Sequence, residues 1–81
     1  MIDARTRIRQ DATLLRWDQQ PGDYGTELYI QGNQAINVDY RRDGSVNWAK
    51  LYPDFRNVEV IKWAPNKHKK EYILSWLAGA C

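Results

Sequence analysis

The sequence predicts an α+β fold: an antiparallel β-meander of four strands, or five, covered on one face by a C-terminal amphipathic helix and preceded by a short N-terminal helix. Three observations predict it. Two turn dipeptides, Gly32-Asn33 and Asp43-Gly44, divide "ELYIQGNQAINVDYRRDGSVNWAKLY" into strand-length pieces, and Gly and Asn tolerate the positive φ of tight hairpins. Tyr72, Ile73, Trp76, Leu77 and Ala80 recur with helical spacing near the end, which makes one apolar stripe. The 81 residues also include four Trp and five Tyr, rings large enough to build a core in so short a chain.

The elements follow in order. Ala4, Ile8, Ala12 and Leu15 form one helical face behind Asp3, a candidate N-cap, so the pattern predicts a helix over most of 4–16. Thr13, Leu15 and Trp17 also alternate as a strand would, and an edge strand over 13–17 competes with the end of that helix. "QQPGDYG" reads as a turn-rich connector. A two-residue turn at Gly32-Asn33 sets Tyr29 opposite Ile36. A three-residue loop, Arg42-Asp43-Gly44 with Gly44 left-handed, pairs Tyr40 with Val46 and Val38 with Trp48. That register gathers Tyr29, Ile36, Val38, Tyr40, Val46 and Trp48 on one face, whereas a one-residue slip would scatter them. Pro53-Asp54 ends the third meander strand, because proline has no N–H for a ladder. "NVEVIKW" (57–63) is rich in β-branched residues and reads as the next strand. Ala64-Pro65 closes it, Asn66 is the candidate N-cap of the last helix, and Gly79 stands at its C-terminal stop.

Composition narrows the function classes. The chain has the length of a single domain over 1–81. It has no apolar run near the ~18 residues of a membrane span, and "MIDARTRIRQD" lacks a signal-peptide core; the expected location is cytoplasmic. The one cysteine, Cys81, is terminal, so no internal disulfide is expected, and no Cys/His cluster implies a metal. No cofactor is implied.

The net charge of +2 is unevenly spread. Residues 1–40 carry four basic and six acidic side chains, and residues 41–81 carry eight basic and four acidic ones. The candidate binding residues are therefore Arg41 and Arg42 beside a hairpin turn, with Lys62, Lys67, His68, Lys69 and Lys70 around the start of the last helix. Lysines there oppose the helix dipole by about 0.3–1 kcal/mol each, and a helix start with free N–H groups receives anions. The plainer reading is a solvated face whose charges salt screens within ~8–10 Å. Arg5, Arg7 and Arg9 spread round the first helix, with Asp3 and Asp11 near enough to neutralise them.

Catalysis has little to build on. His68 has no evident partner beyond Glu71, and the chain lacks a phosphate loop, a metal motif and a nucleophile elbow. RNA cleavage by His68 with Arg41 or a Lys and a Tyr is the active alternative, resting on size and residue type alone. Tyr29, Tyr40 and Trp48 on one face resemble a base-stacking platform, but the last helix needs that face for its core. Tyr24, Tyr52, Phe55 and Trp17 lie in or near loops, where exposed rings would serve as interface anchors.

Two functions from different classes follow. The leading expectation is a non-enzymatic protein-binding module, an adaptor or inhibitor of a larger cytosolic partner. The alternative is a nucleic-acid contact through the basic residues, which would weaken steeply with salt. A homo-oligomer is compatible with either. Small α+β proteins of this size and charge are frequent among mobile-element products, an association of composition only.

Overall fold

The computed structural model describes residues 2–79. Helix α1 (Ala4–Leu14) leads into β1 (Asp18–Pro21), a tight turn at Asp23–Gly25, then β2 (Glu27–Gln31), β3 (Gln34–Tyr40), β4 (Val46–Tyr52), β5 (Lys62–Trp63) and helix α2 (Lys69–Leu77). The five strands pair antiparallel in sequence order, β1-β2-β3-β4-β5, a meander throughout. Both helices pack on the same face of the sheet, α1 against β1 and α2 against β4, and they touch each other. Among the described residues no helix is long and apolar enough to cross a membrane.

The N-terminal ambiguity resolves into both elements, displaced from the expected places. Asp3 caps α1, its carboxylate accepting from the Thr6 N–H at 2.8 Å. The helix stops at Leu14, and the edge strand begins at Asp18 inside the segment expected to be a connector. The helix stop is a Schellman motif. Arg16 is left-handed at φ 65°; its N–H donates to the Thr13 carbonyl, and the Trp17 N–H donates to that of Ala12 at 2.8 Å. Trp17 is thereby turned into the core at 4% exposure, so of the rings expected in or near loops it is not one left exposed as an anchor.

The first hairpin has the expected register, Tyr29 opposite Ile36. The second opens as expected, with Tyr40 opposite Val46 and Gly44 left-handed at φ 87°. It then departs: a bulge at Asn47 shifts the register, so that Asp39 faces Trp48 and Val38 faces Ala49. The Asn47 carboxamide holds this step by donating to the Asp39 carboxylate at 2.8 Å. One extra residue reverses the faces of the strand that follows. Ala49 and Leu51 join the core, and Trp48 leaves it. The core comprises Tyr29, Ile36, Val38, Val46, Ala49 and Leu51 from the sheet, with Ile8, Ala12, Trp17, Ile73, Trp76 and Leu77 above them.

The expected strand over 57–63 shrinks to Lys62–Trp63, opposite Leu51 and Lys50. Residues 54–60 fold instead into two local turns, with the Asn57 N–H on the Asp54 carbonyl and the Val60 N–H on the Asn57 carbonyl. Asp and Asn side chains favour such turns, and here they override the β-propensity of Val58 and Val60. In α2, Ile73, Trp76 and Leu77 are buried as expected, while Tyr72 is half-exposed. The N-cap position is taken by His68, left-handed and without a side-chain cap bond, and not by Asn66. Gly79 ends the helix at φ 83°, its N–H donating to the Trp76 carbonyl. Ala80 and Cys81 lie outside the described residues.

Candidate functional site on the open face of the sheet

One sheet face lies under the helices; the other is uncovered. Strand alternation after the bulge puts Trp48, Lys50 and Tyr52 on the uncovered face, and the pairing of Lys50 with Trp63 brings the edge-strand indole beside them. The Trp48 and Trp63 rings meet edge to face, with centroids 5.8 Å apart and planes at 62°. The Lys50 ammonium lies 5.4 Å from the Trp48 centroid, 5.4 Å from Tyr52 and 5.3 Å from Trp63. Ring quadrupoles attract it, a contribution of about 0.5–1 kcal/mol per contact at an exposed site. No carboxylate lies within ion-pairing reach of Lys50 among the described residues.

A groove of about 440 Å³ runs from these rings to the β1–β2 turn, between Leu28, Asn37, Trp48 and Tyr52 on one side and Pro21 and Tyr24 on the other. The turn is built to hold its shape. The Gly22 N–H donates to the Thr26 carbonyl at 2.8 Å, the Thr26 hydroxyl donates to the Asp23 carbonyl at 2.7 Å, and the Asn37 carboxamide donates to Thr26 Oγ1 and the Glu27 carbonyl. A β-carbon on Gly22 would fall 2.4 Å from Thr26 Oγ1, so only glycine fits there. Tyr24 at the tip is left-handed (φ 57°) and fully exposed. An aromatic residue in that conformation is unfavourable by about 1–3 kcal/mol, and its ring contributes nothing to the core.

The covered face holds a polar network. Arg9 pairs with Glu27, the Arg9 Nε–H donating at 3.0 Å with a second guanidinium contact beside it. The Tyr29 hydroxyl donates to Glu27 at 2.7 Å and lies 2.9 Å from the Tyr40 hydroxyl. Burial pushes the Glu27 carboxyl up, but the bonds from Arg9 and Tyr29 outweigh it and leave the carboxyl below its ordinary value. Burial raises both phenols, Tyr40 to about 12. With every member bonded, this network is structural.

The basic residues predicted from the sequence gather only in part. The β3–β4 hairpin end and the start of α2 meet at a shallow depression where Ser45 and Val46 face Asn66, His68, Lys69 and Lys70. Lys69 reaches back to the Asn66 carbonyl at 3.0 Å, and Lys70 lies 3.9 Å from Glu71. Arg41 donates to the Val46 carbonyl at 3.1 Å. Arg42 is exposed in the hairpin loop and Lys67 before α2. Lys62 sits apart on β5, opposite Leu51. Among the described residues the His68 side chain makes no hydrogen bond, and no group of three His, Cys, Asp or Glu is placed to hold a metal. Of the three N-terminal arginines, Arg7 pairs with Asp11 at 3.2 Å, as the helix reading implies.

The sequence reading missed Lys50, and it placed Trp48 on the covered face. The signal was present in "VNWAKLY": Trp48, Lys50 and Tyr52 alternate with Ala49 and Leu51, so one set had to face away from the other. No family model matches the sequence, and neither a curated protein nor a solved structure matches it significantly.

Proposed function

We propose that this protein is a small non-enzymatic protein-binding module, an adaptor or inhibitor of a larger cytoplasmic partner, and that it binds through the open face of its sheet. The carrying observation is the set of rings around Lys50. Trp63 is 58% exposed and Tyr24 wholly so, Trp48 is only half-buried, and the core on the opposite face is complete without them. Clustered Trp and Tyr around one cation are the composition of interface hot spots.

The field on this face argues against a phosphate backbone. By strand alternation Asp18 and Asp39 share it with Lys50, and Asp23 stands on the groove's rim. Three carboxylates against one ammonium repel a polyanion. The nucleic-acid alternative therefore falls to Arg41, Arg42, Lys67, Lys69 and Lys70 at the other site, where two of the lysines already have internal partners.

The test is capture from a lysate of the source cells, with nuclease and about 0.5 M salt, where exposed charges are screened within a few ångströms. One protein should persist with the wild type and with Lys67→Glu/Lys70→Glu. It should be lost with Trp48→Ala/Trp63→Ala, folded by circular dichroism. Retention by the aromatic variant and loss by the charge variant would overturn the reading in favour of the basic residues.

A further inference from the structure

We propose that the open-face groove receives an extended, proline-rich segment flanked by a basic side chain; the inference rests on the protein-binding reading above. Shape is the first ground. The rings of Tyr24, Trp48 and Tyr52 rise beside Pro21 and Leu28 around a groove open to solvent. Spaced aromatic ridges suit a polyproline II helix, which is stiff before binding and loses little entropy on docking.

Hydrogen-bond supply is the second. Among the described residues the indole N–H of Trp48 and that of Trp63 have no acceptor in the protein, unlike Trp17, whose N–H is engaged by Leu77. Lys50 has rings around its ammonium and no acceptor. Both N–H bonds of the Asn37 carboxamide are already directed at Thr26 and Glu27. The free donors at the middle of the groove are thus the Trp48 indole and the Lys50 ammonium, while its acceptors are Asn37 Oδ1 and the Asp23 carboxylate. A proline-rich segment presents carbonyls to those donors and carries few N–H groups that must find an acceptor. Strand addition is disfavoured: β1 is four residues long and ends in Pro21, and β5 is two residues long, so each edge strand offers only a short ladder.

Charge is the third. Asp23 is the carboxylate among the groove-lining residues, beside Tyr24, and it makes no ion pair among the described residues. Lys50 repels a cation at the middle of the groove, so the basic side chain belongs at the Asp23 end.

The test is an array of dodecapeptides with Pro-x-x-Pro fixed, the other positions randomised, and Arg at either end. Matched arrays carry Ala for Pro or Glu for Arg. Peptides from the Pro/Arg array should be enriched, and the best of them should shift the Trp48 and Trp63 indole N–H resonances saturably. Trp48→Ala should weaken that peptide at least about tenfold, or ~1.4 kcal/mol. Asp23→Lys, in an exposed turn, should transfer the preference from Arg-ended to Glu-ended peptides. Equal binding by the Ala arrays, no binding by any array, or shifts away from the two indoles would overturn the proposal. If the lysate partner is nevertheless lost with the Trp48/Trp63 variant, the protein-binding reading stands and only the nature of the ligand is wrong; if it is retained, both fall.

Discussion

The indole N–H of Trp17 donates to the main-chain carbonyl of Leu77 across 2.9 Å, within the core. The residue that closes the first helix thus satisfies one of the last carbonyls of the second, groups that a helix leaves without an internal partner. Sixty residues of sequence separate the two, so this bond joins both ends of the chain over the sheet. Trp17→Phe keeps an aromatic ring but removes the N–H and part of the buried bulk, and strands the carbonyl. The expected loss is about 1–3 kcal/mol, read as a lower urea midpoint at unchanged m-value; an unchanged midpoint would show that the bond carries no net stability.

Arg16 and Tyr24 both hold left-handed backbones without being glycine. Arg16→Gly should stabilise by about 0.5–1 kcal/mol, since relief of an αL side chain (~1–2 kcal/mol) exceeds the added entropy of the unfolded chain. Tyr24→Gly should stabilise by a similar amount and at the same time weaken binding to the open face. A gain in stability without a loss of binding would remove Tyr24 from the site.

Gly44 packs against the N-cap of α1. A β-carbon there would lie 2.3 Å from the Asp3 carboxylate, and its φ of 87° already strains any other residue. The Gly44 carbonyl also accepts from the Arg5 N–H at 2.9 Å. Gly44→Ala should therefore destabilise by about 1–3 kcal/mol. Asp3→Ala alone should lose about 1 kcal/mol of capping. The double variant should be less destabilised than the sum, because the shorter side chain removes the clash; strict additivity would rule that contact out.

The Arg9–Glu27–Tyr29–Tyr40 network predicts loss of stability at both ends of the pH range. The Glu27 carboxyl titrates below its ordinary value when folded, so its contribution is present above the unfolded carboxyl pKa and fades as pH falls through the lower folded one. Glu27→Gln should flatten that acid limb. Tyr40 is raised to about 12, so its contribution is full below pH ~10, the ordinary phenol value, and fades between there and about 12. Tyr40→Phe should make the alkaline limb shallower, the raised Tyr29 phenol keeping its own share, and leave the acid limb in place. Urea midpoints from pH 3 to 11 would show both, and a variant that shifts every midpoint equally would contradict the assignment.

Much of this architecture was legible because its determinants are local. Positive φ at Gly32 and Gly44 fixes two hairpins, Asp3 caps the first helix, and the stripe of Ile73, Trp76 and Leu77 needs only a helical period. Each rule acts within a few residues, so reading along the chain recovers it.

What only the tertiary structure decided is which face each ring occupies. The pattern of Val46, Trp48 and Tyr40 favoured Trp48 inside, yet a single unpaired residue, Asn47, sends it out and puts Ala49 into the core in its place. A small side chain fits where a helix lies close on a strand, and the cost of a mismatched volume there exceeds any local preference. That same choice assembled Trp48, Lys50, Tyr52 and Trp63 on the outside. The sequence determined that the chain would form a roofed meander, and long-range packing against the roof determined which aromatics were left to meet a partner.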